Sequence, residues 1–319
     1  MIEFGEMDNV IGECRKVIVG QSHLLNRLMI ALLCRGHALL EGLPGLAKTR
    51  AVKTLAQATR LVFRRIQFTP DLLPSDVTGT LIYDPKNLTF TPRKGPVFAN
   101  LLLADEINRA PSKVQSALLE AMEERQVTIG DDSFALPEPF LVLATQNPIE
   151  QEGTFPLPEA QMDRFLFKLK VGYPSGQEEI EILRRDDAGE EPVNAVMDAG
   201  QIAMAAQNAH NVRIDEAIRA YIVKIVQETR VGPGQVSGRP WKGKEFLRCG
   251  ASPRAALALQ AASKALAHLS GRNYVLPDDV VSLAPDVLRH RLLLTFEAEA
   301  DSIDADQVIK SLMTSIPRP

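Results

Sequence analysis

The sequence predicts an α/β fold: a parallel sheet covered by helices on both faces, followed by a second, helical domain. Three observations predict it. Between residues 21 and 169, short apolar runs alternate with amphipathic helical stretches, the rhythm of strand–helix–strand units. Beyond residue 172 the apolar positions recur at helical spacing almost throughout. At 319 residues and 45% hydrophobic content the chain is large enough for two cores.

Each element follows in order. Leu24, Leu25, Leu28, Ala31 and Leu32 fall on one helical stripe within 21–35. His37-Ala38-Leu39-Leu40 reads as a buried strand entering a glycine-rich turn, with a helix expected from Thr49 to Thr59 and a strand over Phe63–Phe68. Residues 69–99 interrupt the alternation. Leu81-Ile82-Tyr83 and Leu88-Thr89-Phe90 flank Asp84-Pro85-Lys86-Asn87 as a hairpin would. The sheet resumes at Ala99–Ala104, and Pro111-Ser112 starts a helix whose core stripe is Val114, Leu118 and Met122. A second hairpin is expected over Gln126–Leu136, turning at Gly130-Asp131-Asp132. Strands follow at Phe140–Thr145 and Phe165–Leu169. Val171–Gly176 reads as a linker, which divides the chain into domains at 1–172 and 173–319. The second domain carries alanine-rich helical stretches at 195–209 and 255–267, and a Gly/Pro-rich basic loop, Val231–Lys244, holding the single tryptophan, Trp241.

Composition narrows the function. A formal charge of −4 leaves no overall footprint for tight nucleic-acid or membrane-surface binding. No run approaches the ~18 apolar residues of a membrane span, and the acidic start Met1–Glu6 lacks the features of a signal peptide. Cys14, Cys34 and Cys249 are odd in number, widely spaced and without His at ligand spacing. They read as buried thiols, and the whole as a cytoplasmic protein. The five histidines are scattered and suggest no chemistry.

Two segments carry chemistry. Gly42-Leu43-Pro44-Gly45-Leu46-Ala47-Lys48-Thr49 links a strand to a helix. Backbone N–H groups at such a turn meet phosphate oxygens at the positive end of the helix. Gly42 and Gly45 allow close main-chain approach, Lys48 reaches the outer phosphates, and the Thr49 hydroxyl is a ligand for Mg²⁺. The general signature has glycine where Ala47 stands, a methyl that fits if that residue is already helical. The second segment, Leu101-Leu102-Leu103-Ala104-Asp105-Glu106, runs an apolar strand into two carboxylates. Asp105 at the strand end suits the metal, and Glu106 suits the orientation and polarisation of an attacking water. Together the segments predict a nucleoside-triphosphate hydrolase.

Three further stretches resemble MoxR-family AAA+ ATPases: Phe68–Gly79, Ala104–Pro111 and Ala144-Thr145-Gln146-Asn147-Pro148. The likeness continues through Gly153–Phe165 and recurs at Ser252-Pro253-Arg254, so it covers nearly the whole chain. Ala47 is itself frequent in that family. The resemblance implies an AAA+ αβα nucleotide-binding domain with sheet order 5-1-4-3-2, followed by an all-α lid. Residues 69–99 become the helix-2 insertion and 126–136 the hairpin before sensor 1. Asn147 matches sensor 1, which helps position the water. Arg164 matches an arginine finger presented to a neighbouring subunit's ATP, and Arg254 matches sensor 2. For Arg254 the residues add an argument of their own. Ser252 is a good N-cap, Pro253 a good first residue and Gly271 a good terminator. Arg254 therefore falls in a first turn, where the helix dipole disfavours a cation by ~0.3–1 kcal/mol unless a phosphate is near. Val19-Gly20-Gln21 occupies the place of the adenine pocket, which assigns Gly20 and Gln21 to the nucleotide.

The resemblance further implies a ring, hexameric by analogy, that remodels protein clients in a chaperone-like way, as in cofactor or metal insertion. A von Willebrand factor A-domain partner would be a separate chain. A DNA-directed AAA+ motor is the main alternative. The Gly130-Asp131-Asp132 tip would repel phosphates, and Arg93, Lys94, Arg239, Lys242, Lys244 and Arg248 read as solvated faces. The ATPase subunit of a metal chelatase shares the insertion, and a scaffold that binds ATP without turnover has no use for Glu106, Asn147, Arg164 and Arg254 together.

Overall fold

A computed structural model describes residues 6–43, 45–147, 153–189, 191–230 and 241–319. Pro44, Pro148 and the 231–240 part of the basic loop, including Arg239, lie outside the described residues. The chain forms two compact units, residues 1–158 with 169–205 and residues 159–168 with 206–319. These units group 173–205 with the first body and 159–168 with the second, a partition distinct from the expected domain division at 172/173.

In chain order, α1 (Glu6–Val17) and α2 (Ser22–Leu33) precede β1 (Ala38–Glu41), α3 (Lys48–Ala58) and β2 (Phe63–Gln67). The short α4 (Pro74–Thr78) leads into the hairpin strands β3 (Gly79–Asp84) and β4 (Thr89–Lys94). Then come β5 (Leu101–Asp105), α5 (Ser112–Glu124), the second hairpin of β6 (Gln126–Ile129) and β7 (Asp132–Ala135), and β8 (Leu141–Gln146). After α6 (Glu159–Met162) follow β9 (Phe167–Lys170), α7 (Gly176–Ala188) and α8 (Ala199–His210).

The central sheet runs β2-β5-β8-β1-β9. Counting only its five strands in chain order, this is 5-1-4-3-2 read from the other edge, as the resemblance implies. The pairs β2–β5, β5–β8 and β1–β8 are parallel. Central parallel strands are covered on both faces and so read as unbroken apolar runs; Leu101 through Ala104 are fully buried. The edge strand β2 instead exposes Arg64, Arg65 and Gln67, which guards an open edge against further pairing. Because these strands are parallel, the ends of β1, β5 and β8 lie along one border of the sheet. Register pairs Gln67 with Asp105 and Glu41 with Gln146. That border is where ligands bind in open α/β sheets.

Small departures from the expected strand starts have side-chain causes. β5 begins after Asn100, whose Oδ1 accepts from the Val62 N–H at 3.1 Å and whose amide donates to the Pro139 carbonyl at 2.9 Å. These bonds spend the residue on joining neighbouring segments. Val171 does not leave the sheet at once, since its N–H donates to the Glu41 carbonyl at 2.8 Å. Both hairpins form where expected, β3 with β4 and β6 with β7. Lys94 is not merely solvated: its ammonium lies over the Phe98 and Phe134 rings at 4.9 and 5.1 Å.

The second unit is helical. Its main helices are α9 (Glu216–Glu228), α10 (Pro253–Leu269), α11 (Pro277–Leu288), α12 (Phe296–Ala300) and α13 (Ala305–Ser315). Small residues Ala255, Ala258 and Ala262 on α10 let α9 and α11 approach closely, and all three are buried. One short antiparallel ladder, β10 (Leu247–Cys249) with β11 (Leu293–Leu294), interrupts the helices. Lys244 departs from the solvated reading. It is buried and lies 3.5 Å from the equally buried Glu228, because a buried ammonium needs a counter-charge. Of the cysteines, Cys14 is buried as expected, and burial pushes its thiol up to about 12. Cys249 is exposed instead, on the outward side of β10. Among the described residues, no helix is long and apolar enough to cross a membrane.

Candidate functional site

The loop after β1 turns sharply into α3. Gly42 is forced to be glycine by its surroundings, since a Cβ there would lie 2.6 Å from the Val171 carbonyl oxygen. Gly45 has φ +85°, a conformation that side chains resist, and open space faces its Cβ position. Ala47 corrects one expectation. It is not yet helical: φ 56° and ψ 17° put it in the left-handed region as the N-cap of α3. That conformation costs an alanine roughly 1–2 kcal/mol and aims the free N–H groups of the first helical turn outward. Lys48 opens the helix, and its ammonium donates to the Gly42 carbonyl at 2.7 Å, across the mouth of the loop. Burial pushes its pKa down, while Asp105 and Glu106 pull it back up, so ammonium and carboxylates share one electrostatic neighbourhood.

At the end of β5, each carboxylate is held by several donors. Asp105 Oδ2 accepts from Arg65 Nη2 at 2.7 Å and Nε at 3.1 Å. Asp105 Oδ1 accepts from Thr145 Oγ at 2.6 Å, and that hydroxyl accepts in turn from the Glu106 N–H at 2.8 Å. Glu106 stands at φ 56° and ψ 50°, the second strained non-glycine residue of the site. Its Oε2 accepts from Gln67 Nε2 at 2.9 Å and Arg109 Nη1 at 3.0 Å. Asn147, the residue after β8, completes the ring of polar groups.

One cavity of 370 Å³ is lined by Gly42, Gly45, Leu46, Ala47, Lys48 and Thr49 on one side, and by Asp105, Glu106, Thr145 and Asn147 on the other. Arg50 and Arg65 line it too. A second cavity of 440 Å³ shares Arg50 and is walled by Val17, Val19, Ile182 and Leu183. Gly20 and Gln21 line neither. A Cβ on Gly20 would strike Glu178 of α7, and Gln21 donates to the Gly172 carbonyl at 3.2 Å. Their place is at the seam that carries Val19, not in its wall.

Arg164 and Arg254 belong to the second unit. Arg164 lies on the turn after α6. Arg254 is exposed in the first turn of α10, where the Ser252 hydroxyl accepts its N–H at 3.1 Å as an N-cap.

The donor set fits a hard divalent cation. Among the described residues no group of three or more His, Cys, Asp or Glu side chains is placed to cage a metal. Thr49 and Asp105 offer one hydroxyl and one carboxylate to the same cavity. Mg²⁺ favours that sparse oxygen environment, with phosphate oxygens and water filling the remaining positions.

Sequence reading missed Arg65, Gln67 and Thr145, and left Arg109 without a role. The alternation of Arg65 and Gln67 on one face of β2 is visible in the sequence. Its meaning depends on β2 lying beside β5 in the register that pairs Gln67 with Asp105.

Comparison with known proteins agrees with this geometry. Residues 37–167 match the family described as "ATPase family associated with various cellular activities (AAA)", and residues 244–312 match an AAA lid domain. Chaperone MoxR1 of Mycobacterium tuberculosis is 49% identical over 317 residues, covering 99% of this chain and 83% of that protein. Protein MoxR of Methylorubrum extorquens is 31% identical over 330 residues, covering 96% and 93%. A crystal structure from Cytophaga hutchinsonii, 45% identical, superposes with a TM-score of 0.91 over 99% of this chain and 96% of that one. With a nucleotide-type cavity at the border of a 5-1-4-3-2 sheet and near full-length likeness to these proteins, the chain belongs to the MoxR family of AAA+ ATPases.

Proposed function

We propose that the protein hydrolyses ATP to ADP and phosphate with Mg²⁺ and spends the cycle on remodelling protein clients. One observation supports the chemistry most: Lys48, Thr49, Asp105, Glu106 and Asn147, from three separate segments, face a single 370 Å³ cavity. Lys48 and the N–H groups of Gly45, Leu46, Ala47, Lys48 and Thr49 bind the phosphates. Thr49 and Asp105 hold the metal, which when bound neutralises charge on the phosphate oxygens. Glu106 takes the proton of the attacking water, its carboxylate aimed by Gln67 and Arg109. Asn147 orients that water. The base rests at the apolar wall of Val17, Val19, Ile182 and Leu183, with Gly20 and Gln21 shaping the segment beside it.

Arg164 acts in trans on a neighbour's ATP and Arg254 in cis, so the active form is a homo-oligomeric ring, hexameric by family analogy. In this reading 1–172 is the nucleotide-binding domain and 173–319 the lid. The name of Chaperone MoxR1 supports a client-remodelling role. By family resemblance that role is exercised in the cytoplasm, in complex maturation, with a separate von Willebrand factor A-domain partner. The test is phosphate release measured against protein concentration, with a Glu106→Gln pull-down in ATP to identify the client. Turnover that rises more steeply than protein concentration supports the reading; absence of ATP hydrolysis at any concentration refutes it.

A further inference from the structure

Asp163, next in sequence to Arg164, is gripped on both carboxylate oxygens. Oδ1 accepts from Arg291 Nε at 2.7 Å and Oδ2 from Ser252 Oγ at 2.8 Å. The Asp163 N–H donates to the Glu159 carbonyl at 3.0 Å and the Arg164 N–H to the Gln161 carbonyl at 3.2 Å, so both residues ride one tight turn. Arg291 holds that turn by its main chain as well, donating to the carbonyls of Asp163 at 3.1 Å and Phe165 at 2.6 Å. Its side chain is only 3% exposed.

Ser252 faces two ways. Its hydroxyl donates to Asp163, and the same oxygen accepts the Arg254 N–H at 3.1 Å as the N-cap of α10. The arginines assigned to ATP stand at the two ends of this hydrogen-bonded chain, Arg164 as the residue after Asp163 and Arg254 through its own N–H on Ser252. Burial holds the Arg291 guanidinium below its usual range against the opposing pull of Asp163, and Arg254 adds to the lowering. Arg254 is therefore within electrostatic reach of the same cluster.

We infer that Asp163 and Ser252 are positioning residues that tie Arg164 to Arg254, so that a displacement of one arginine moves the other. This rests on the assignment of both arginines to ATP. Asp163 cannot swing away from Ser252 without loosening its hold on a buried cation, which makes the link stiff rather than incidental. A helix cap alone asks less of residue 252. It needs an acceptor for the α10 N–H groups, which aspartate supplies as well as serine does. A bond to Asp163 needs a donor, which aspartate lacks.

That difference gives the test. In the full chain, Ser252→Asp keeps the cap and sets two carboxylates face to face, whereas Ser252→Thr keeps both bonds. Two readouts are taken: affinity for a fluorescent ATP analogue, which reports Arg254, and the protein-concentration dependence of turnover, which reports Arg164. Coupling predicts that Ser252→Asp loses roughly tenfold in both, the equivalent of one charge-assisted hydrogen bond, and that Ser252→Thr stays near wild type. Arg164→Ala and Arg254→Ala are the controls, each moving its own readout. If both controls are silent, the assignment of the arginines to ATP has failed, and the coupling with it. If the controls respond while Ser252→Asp moves neither readout or only one, the assignment stands and the coupling is overturned. Should thermal melting show Ser252→Asp unfolded, Ser252→Gly is read in its place. It removes the hydroxyl without adding charge, and the same paired loss is required.

Discussion

Thr145 Oγ donates to Asp105 Oδ1 at 2.6 Å, and through the same oxygen it receives the Glu106 N–H at 2.8 Å. One hydroxyl on β8 thereby fixes the Asp105 carboxylate and the Glu106 backbone. Valine has the same shape without the hydroxyl. Thr145→Val strips a bond from Asp105 and leaves the Glu106 N–H without its acceptor, a loss of about 1–3 kcal/mol. We expect kcat to fall by about tenfold to a hundredfold, with ATP affinity changed less than threefold or so. Steady-state kinetics beside a nucleotide titration checks this, and an unchanged kcat would remove Thr145 from the site.

Lys48 reaches back to the Gly42 carbonyl at 2.7 Å and is partly desolvated, so its ammonium is already oriented across the loop. Lys48→Ala removes a charge-assisted partner of the phosphates, for which about 1.5–3 kcal/mol is usual. ATP affinity is expected to drop roughly tenfold to a hundredfold by calorimetry, while the melting temperature without nucleotide stays near wild type.

Arg164 sits on the turn braced by Arg291. If it serves the neighbouring subunit's ATP, Arg164→Ala lowers turnover by roughly 10³–10⁵-fold without weakening ATP binding. Mixing it with Glu106→Gln, which keeps Arg164 but lacks its own base, should restore part of the activity. Failure of every mixture to exceed the separate proteins would argue for action in cis.

His37 gives a pH-dependent stability. It is buried, its Nδ1 accepts from the Val142 N–H at 2.9 Å, and its Nε2 faces the Met122 carbonyl at 3.2 Å. That arrangement fixes the neutral Nε2–H tautomer, and desolvation lowers its pKa to about 4. Between about 4 and the unfolded value of about 6.5, the unfolded chain binds more protons than the folded one. Stability is therefore complete above about pH 6.5 and declines as pH falls toward 4, by roughly 3 kcal/mol from this residue. Denaturant unfolding at stepped pH should show the decline, and His37→Gln should make it shallower, with the buried His290 and His268, lowered by desolvation in the same direction, supplying the remainder.

How much of this was readable in the sequence depended on whether the signal was local. The loop from Gly42 to Thr49 and the Asp105–Glu106 pair announce themselves by short-range spacing, and the strands by apolar runs. The groups that aim the carboxylates come from elsewhere in the chain. Arg65 and Gln67 act through register with β5, and Thr145 through its place on β8. No linear spacing encodes those meetings. The condition set for Ala47, that its methyl fits if the residue is already helical, is not met for another reason: the tight turn imposes the left-handed conformation. Lys244 and Cys249 show the same limit in the second unit. Charge suggested exposure for Lys244 and a thiol suggested burial for Cys249, and tertiary packing reversed both.

In the proposed function the phosphate loop and the paired acids form one reaction centre. The most direct measurement is the identity of the nucleotide retained by Glu106→Gln after incubation with ATP and Mg²⁺. Conversion of one charged oxygen to an amide leaves binding groups in place and removes the base, a loss of about 10²–10⁴ in rate. We expect ATP bound at wild-type affinity with phosphate release reduced by that amount. Recovery of ADP, formed at the wild-type rate, would contradict it.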